Sequence, residues 1–168
     1  MRILGIDPGL QKTGWGIIES QGHSLKYMAC GLLRTDAAAP LAERLASLHK
    51  QMTAVIEEWK PETAAVEETF VNKNPASALK LGQARGVLLA IPALHGLSVS
   101  EYAANKIKKS LTGTGHAAKE QIGMMIRTLL PTCGQIGPDE ADALAAAICH
   151  AHYGATANNT LAQLQGYR

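Results

Sequence analysis

The chain has 168 residues, 46% of them hydrophobic, which is typical of a single globular domain with a substantial core rather than of a disordered segment. No run of about 18 apolar residues is free of charge, so no membrane span is expected. The N-terminal residues reach a charge too early for a signal peptide. Three widely spaced cysteines suit reduced thiols and a cytoplasmic location better than a disulfide framework.

The net charge of +2 is unevenly distributed along the chain. Residues 1–70 and 120–168 each carry a net charge of −2, whereas residues 71–119 carry seven Lys or Arg and one Glu, a net charge of +6. A basic segment between acidic ends favours a polyanionic partner such as nucleic acid. A solvated, lysine-rich face would leave the same pattern.

Three strands and a helix are predicted in the N-terminal part of the chain. Residues 2–7 form an apolar run that ends at a Pro-Gly turn, and further strands are predicted over 13–19 and 25–34. The short loops between them predict antiparallel hairpins. Apolar residues three and four apart then predict a helix over 40–59.

Strands and helices alternate in the remainder. A fourth strand is predicted over 64–69, followed by a helix over about 76–91 that ends or kinks near Pro92. A fifth strand and three helices follow, over 97–102, 103–111, 117–130 and 138–153. Residues 1–153 are expected to form one domain, and 154–168 a flexible C-terminal tail. The order predicts an α/β fold, a mixed five-stranded sheet with helices on both faces.

Acidic residues stand at the ends of two predicted strands. Asp7 ends the first strand, and Glu67 and Glu68 lie at the end of the fourth. A carboxylate in an apolar strand is costly unless it is paired or bound to a cation. Because neighbouring strand residues point to opposite faces, only one of the two glutamates can share a site with Asp7. Spacing alone does not decide which.

A further acidic pair begins the last helix. Asp139 and Asp142 follow Pro138 and are three residues apart, so they share a helix face. Helix capping would explain them equally well if they stood alone. Together with the strand-end acids, they form an oxygen-only ligand set that selects Mg²⁺ or Mn²⁺. Two such ions about 4 Å apart can activate a water and hold the leaving oxygen of a phosphodiester.

Four motifs, in this order along the chain, resemble the RuvC-type Holliday-junction resolvases of bacteria. They are Gly5-Ile6-Asp7-Pro8-Gly9, Val66-Glu67-Glu68-Thr69-Phe70, the segment ALKLGQARG at 78–86 and the segment DEADALA at 139–145. The resemblance runs from residue 1 to about residue 153. It implies a ribonuclease H-like fold and an endodeoxyribonuclease of DNA recombination and repair. Such an enzyme acts as a homodimer on four-way junction DNA, together with a branch-migration motor.

The resemblance also implies a mechanism and its residues. Two Mg²⁺ ions, for which Mn²⁺ can substitute, are held by catalytic carboxylates at Asp7, Glu67, Asp139 and Asp142, so that Glu67 is selected over Glu68. Symmetric paired nicks are expected to leave 5′-phosphate and 3′-hydroxyl ends. Lys108 and Lys119 are the basic residues to which the resemblance points for phosphate contact.

The predicted DNA-binding residues extend beyond those two lysines. They are Phe70, Lys73, Lys80, Arg85, Lys106, Lys108, Lys109 and Lys119. Phe70 is the only phenylalanine; it is either a core residue or, as the resemblance implies, an aromatic that stacks on an unpaired base. Gly82 and Gly86 allow close packing of a helix, either within the molecule or between two copies.

Three other functions fit parts of the sequence. The Gly5–Gly9 segment also resembles the phosphate loop of actin-like ATPases, but those proteins need two lobes. A non-catalytic junction-binding protein would not need four convergent acids, and a ribonuclease or transposase-like nuclease would share the fold. Zinc binding by Cys149, His150 and His152 is disfavoured, because their spacing on one helix does not bring three ligands to a tetrahedral ion.

Overall fold

A computed structural model describes residues 1–68 and 74–165, the latter range as backbone only from residue 154 onward. Its strands and helices, in chain order, are β1 (Arg2–Asp7), β2 (Lys12–Gln21), β3 (Ser24–Arg34), α1 (Leu41–Trp59), β4 (Thr63–Glu68), α2 (Pro75–Leu94), β5 (Ser98–Ala103), α3 (Ala104–Thr112), α4 (Lys119–Leu129) and α5 (Pro138–Gln165). None of the helices in the described ranges is long and apolar enough to cross a membrane.

The strands form one mixed sheet in the order β3-β2-β1-β4-β5. β2 pairs antiparallel with both β1 and β3, whereas β1, β4 and β5 run parallel to one another. The predicted five-stranded mixed sheet is therefore confirmed. β1 is the central strand and is covered on both faces, which explains its uninterrupted apolar run.

Two hydrophobic layers enclose the sheet, and alternate residues of β1 face different layers. Ile3 packs with α3, α4 and α5, whereas Leu4 and Ile6 pack with α1 and α2. Because side chains alternate along a strand, Asp7 continues the Ile3 face and points to the layer that contains α5. The expectation of helices on both faces of the sheet is confirmed.

Two helices differ from the prediction at their C-terminal ends. α2 continues through Pro92 to Leu94, because a proline in the last turn removes only one helical hydrogen bond. The carbonyl of Pro92 accepts hydrogen bonds from the backbone N–H groups of His95 and Leu97, both at 3.0–3.1 Å. The backbone of α5 is helical to Gln165, beyond the predicted helix end at residue 153; its Ala, Leu and Gln residues favour helix.

Candidate active site

The pleat of the sheet determines which glutamate lies beside Asp7. β1 and β4 are parallel neighbours with Ile6 opposite Val66, so the residues that follow, Asp7 and Glu67, come side by side near the ends of adjacent strands. Glu67 shares the face of Ala65, which packs in the layer with α5. Glu68 points the other way, on the face of Val66 toward α1 and α2. The structure therefore brings Glu67, and not Glu68, to Asp7.

The turn after β1 is held by the side chain of Thr13, which is fully buried. The Thr13 hydroxyl donates a hydrogen bond to the carbonyl of Gly9 and accepts one from the Gly9 N–H at 3.3 Å. Pro8 in the same turn is buried. These contacts fix the chain immediately after Asp7 and so restrict the position of its carboxylate.

Glycines in β1 and β2 allow α5 to approach the sheet at backbone distance. A Cβ atom at Gly5 would overlap the carbonyl of Ala143, and one at Gly14 would overlap the carbonyl of Asp139. Asp7 lies opposite Gly14 in the β1–β2 register, so this approach delivers the first turn of α5 to the end of β1. Gly14 is a site-forming residue that the sequence pattern did not single out, since its partner is distant in the chain.

The four acidic side chains share one electrostatic environment. Burial, and then the charges of Glu67, Asp142 and Asp139, raise the pKa of Asp7 from 3.8 to about 7, against the lowering effect of Lys119. Burial, and then Asp142, raise the pKa of Glu67 from 4.5 to about 7. The pKa of Asp142 is also raised, chiefly by burial, although Lys119 and Lys108 oppose the shift. The predicted carboxylates are thus close enough to repel one another.

This carboxylate cluster, Asp7, Glu67, Asp139 and Asp142, fits a hard divalent cation. It offers oxygen ligands only, and its pKa values are raised first by burial and then by neighbouring negative charges, both of which a bound cation would offset. Within the described residues, no three His, Cys, Asp or Glu side chains lie close enough to form a closed metal centre.

Beside the carboxylate cluster lies an open cleft of about 580 Å³ between the end of β4 and helices α3, α4 and α5. Glu67 and Asp142 line one part of it, and Lys108 of α3 and Lys119 of α4 line another. Both lysines lower the pKa of Glu67 and of Asp142, which shows that their charges lie near the carboxylates. The structure thus brings the two singled-out lysines to the acidic site.

Two other predicted DNA-binding residues are engaged in local contacts. The Nζ atom of Lys106 lies 5.0 Å from the ring centre of Tyr102 and 4.2 Å from that of Tyr153. Arg85 forms an ion pair with Glu101, whose neighbour in the sheet, Val66, belongs to the α1–α2 layer. Neither residue lines the cleft.

The remaining predicted contacts lie at the surface or outside the description. Lys80 on α2 and Lys109 on α3 are exposed and do not line the cleft. Phe70 and Lys73 lie outside the described residues. His150 is used by the fold, since its ring nitrogens lie 3.1 Å from the Thr63 hydroxyl and 2.8 Å from the Tyr102 hydroxyl.

The mixed sheet has acids at the ends of β1 and β4 and at the start of α5. This fold and this placement of acids define the class of ribonuclease H-like nucleases. The model of the RuvC family, described as crossover junction endodeoxyribonuclease RuvC, matches residues 3–150. The chain belongs to this family.

Individual relatives agree with this assignment. A crossover junction endodeoxyribonuclease RuvC of Paramagnetospirillum magneticum is 62% identical over 156 residues, which cover 93% of this chain and 94% of the relative. The structure of Thermus thermophilus RuvC matches with a TM-score of 0.85 at 32% identity, over 94% of this chain and 97% of that one. The same protein in complex with a Holliday junction substrate matches with a TM-score of 0.87 at 32% identity, over 94% and 96%.

Proposed function

We propose that this chain is a Holliday-junction resolvase that cuts four-way DNA by symmetric paired nicks, in recombination and repair. The observation that carries the proposal is the convergence of acids from β1, β4 and α5, with Lys108 and Lys119 beside them. Family membership supports the choice of a four-way junction as the substrate. The products are a 5′-phosphate and a 3′-hydroxyl, which a ligase can rejoin.

In this proposal, Asp7, Glu67, Asp139 and Asp142 hold two Mg²⁺ ions, for which Mn²⁺ can substitute. Bound divalent ions supply an activated water and stabilise the charge that develops on the phosphate and the leaving oxygen. The carboxylates must be ionised to act, and the pKa values of about 7 at Asp7 and Glu67 mean that protons compete with the cation near neutral pH. Lys119 lowers both pKa values and so favours the ionised, cation-binding form.

We assign DNA binding to the basic side chains that the sequence singles out. Lys108 and Lys119 bind the phosphates closest to the cut, because they line the same cleft as Glu67 and Asp142. Lys80, Lys106, Lys109 and Arg85, which do not line the cleft, contribute a weaker attraction, and Lys73 is assigned to the same role on its charge alone. Phe70 follows β4 by two residues and stacks on a base that unpairs at the crossover, where stacking is worth about 1–3 kcal/mol.

A homodimer is part of the same proposal, since a junction presents two strands for symmetric cutting. The outward face of α2 supports it as the contact surface. Leu79 is 66% exposed there, and a Cβ atom at Gly82 or Gly86 would meet nothing within 4 Å among the described residues. Packing of these glycines within the molecule is therefore not supported. Leu79→Glu is expected to yield a folded monomer in sedimentation experiments, whereas Lys50→Glu on α1 leaves the dimer intact.

A cytoplasmic location and coupling to a branch-migration motor complete the proposal, both on the strength of family membership. The direct test of the function is a panel of a four-way DNA junction, a linear DNA duplex and an RNA–DNA hybrid, each incubated with Mg²⁺. Nicks at symmetric positions in the junction, with little cutting of the other two, are expected. Preferred cutting of the hybrid would identify a ribonuclease instead, and junction binding without cutting would identify a binding protein.

A further inference from the structure

The arginine side chains of the helices and strands differ in whether they have partners. Arg2 contacts Glu19, Arg44 donates to the Thr35 hydroxyl, and Arg85 pairs with Glu101. Arg34 at the end of β3 and Arg127 on α4 are exposed, and their side chains make no hydrogen bond or ion pair within residues 1–68 and 74–153; of the two, only Arg127 lines the cleft. An exposed guanidinium without a partner has all of its donors available for an anion.

The position of Arg127 directs those donors into the cleft that contains the carboxylate cluster. Arg127 lines the cleft together with Glu67, Asp142, Lys108 and Lys119. Gly123, one turn earlier on α4, also lines it, and the guanidinium Nη1 lies 3.5 Å from the place of a Cβ atom at Gly123. A larger residue at position 123 would fill the space beside the guanidinium, so the glycine keeps this end of the cleft open.

The distance between Lys119 and Arg127 along α4 shows how far Arg127 lies from the proposed cutting site. Lys119 and Arg127 are eight positions apart, which is about 12 Å at about 1.5 Å per residue. Phosphates of one DNA strand rise about 3.4 Å each along the duplex axis and also wind around it, so this distance spans at most about four phosphates. The same cleft is also lined by the apolar residues Ile122 and Ile136, against which the sugars of a strand could pack.

We infer that Arg127 binds a backbone phosphate of the cut strand, within about four nucleotides of the scissile phosphate. A guanidinium can grip two phosphate oxygens at once, so Arg127 fixes the direction of the strand across the cleft as well as its distance. The inference rests on the proposed nuclease function. Arg127 lies outside the basic segment 71–119 and carries one of only two positive charges in residues 120–168. The distribution of charge along the sequence therefore does not indicate a role for it.

Single-turnover cutting of a four-way junction at increasing enzyme concentrations tests the inference. Arg127→Ala is expected to raise the half-saturating enzyme concentration about tenfold, with a limiting rate within about twofold of the parent. The slope of log affinity against log salt should fall by about 0.9, as expected for one lost phosphate contact. Arg127→Lys should recover part of the affinity. Lys50→Ala removes an equal charge from exposed α1 on the other side of the sheet and is the control, with no change in limiting rate.

Junctions with one neutral methylphosphonate identify the phosphate. Placed in turn at each of about four positions on either side of the cut, one such group should weaken binding by the parent but not further weaken binding by Arg127→Ala. Strictly additive losses at every position, or an Arg127→Ala protein that matches Lys50→Ala in half-saturation and salt slope, would overturn the inference. Failure of the parent itself to cut any four-way junction would instead overturn the proposed function, so the two failures are distinguishable.

Discussion

The substitution Asp7→Asn is expected to stabilise the metal-free protein above neutral pH while abolishing cutting. Burial and neighbouring carboxylates raise the pKa of Asp7 from 3.8 to about 7, so its ionised form is disfavoured in the fold. The pKa of this carboxyl is about 4 in the unfolded chain and about 7 in the fold. The free energy of unfolding therefore falls as the pH rises from about 4 to about 7. At pH 8 the ionised Asp7 lowers the free energy of unfolding by about 4 kcal/mol if the whole pKa shift is counted. Partial contact of the carboxylate with water reduces this loss to about 2–4 kcal/mol.

The assay is urea unfolding at pH 5 and pH 8 in the presence of a chelator. The parent protein should lose stability between these values, because Asp7 and Glu67 must both ionise against burial and mutual repulsion. Asp7→Asn should lose less and be more stable than the parent at pH 8 by about 2–4 kcal/mol. Glu68→Gln is the matched control, since its side chain lies on the opposite face of the sheet; it should keep the pH dependence of the parent.

Addition of Mg²⁺ provides the second half of the measurement. At pH 8 the cation should stabilise the parent, by about 2.7 kcal/mol when its concentration is a hundred times the Kd. Asp7→Asn should gain much less, since it lacks one carboxylate ligand. An Asp7→Asn protein that is less stable than the parent at both pH values would refute the reasoning, because Asp7 would then support the fold rather than oppose it.

Three further outcomes are expected. Lys119→Ala should move the rising limb of the rate–pH profile to higher pH, because Lys119 lowers the pKa of Asp7, Glu67 and Asp142; Lys109→Ala, which removes a lysine outside the cleft, should leave the limb in place. Gly5→Ala should lower the free energy of unfolding by about 1–3 kcal/mol and reduce cutting, since its methyl group would displace α5; thermal melts and cleavage rates measure both. Phe70→Ala should fold and dimerise normally but cut slowly, and a junction already unpaired at the crossover should restore most of the rate; an unfolded variant would mark Phe70 as a core residue instead.

Local patterns were sufficient to predict the strands and most helices. The apolar run of β1 and the helical spacing in α1 and α4 depend on neighbours in sequence, and their observed bounds lie within about two residues of the predicted ones. The end of α2 was harder to predict, because the carbonyl of Pro92 finds donors in His95 and Leu97 only once the chain has turned.

The carboxylates could be recognised from the sequence, but the reason for their convergence could not. Gly14 meets Asp139 across a separation that no sequence window spans, and without that contact α5 would lie farther from β1. The choice of Glu67 over Glu68 likewise needed the β1–β4 register or the family resemblance. Charge counting treated all seven basic residues of 71–119 alike, although Arg85 and Lys106 have local partners in Glu101 and Tyr102.

Junction cutting by the two adjacent variants Glu67→Gln and Glu68→Gln tests the central claim most directly. Both changes remove one negative charge from neighbouring residues of β4, and only Glu67 faces Asp7 and α5. With a four-way junction and Mg²⁺, Glu67→Gln should bind but lose cutting by about a hundredfold or more, whereas Glu68→Gln should cut at nearly the parental rate. Equal losses in the two variants, or normal cutting by Glu67→Gln, would contradict a carboxylate site shared by β1, β4 and α5.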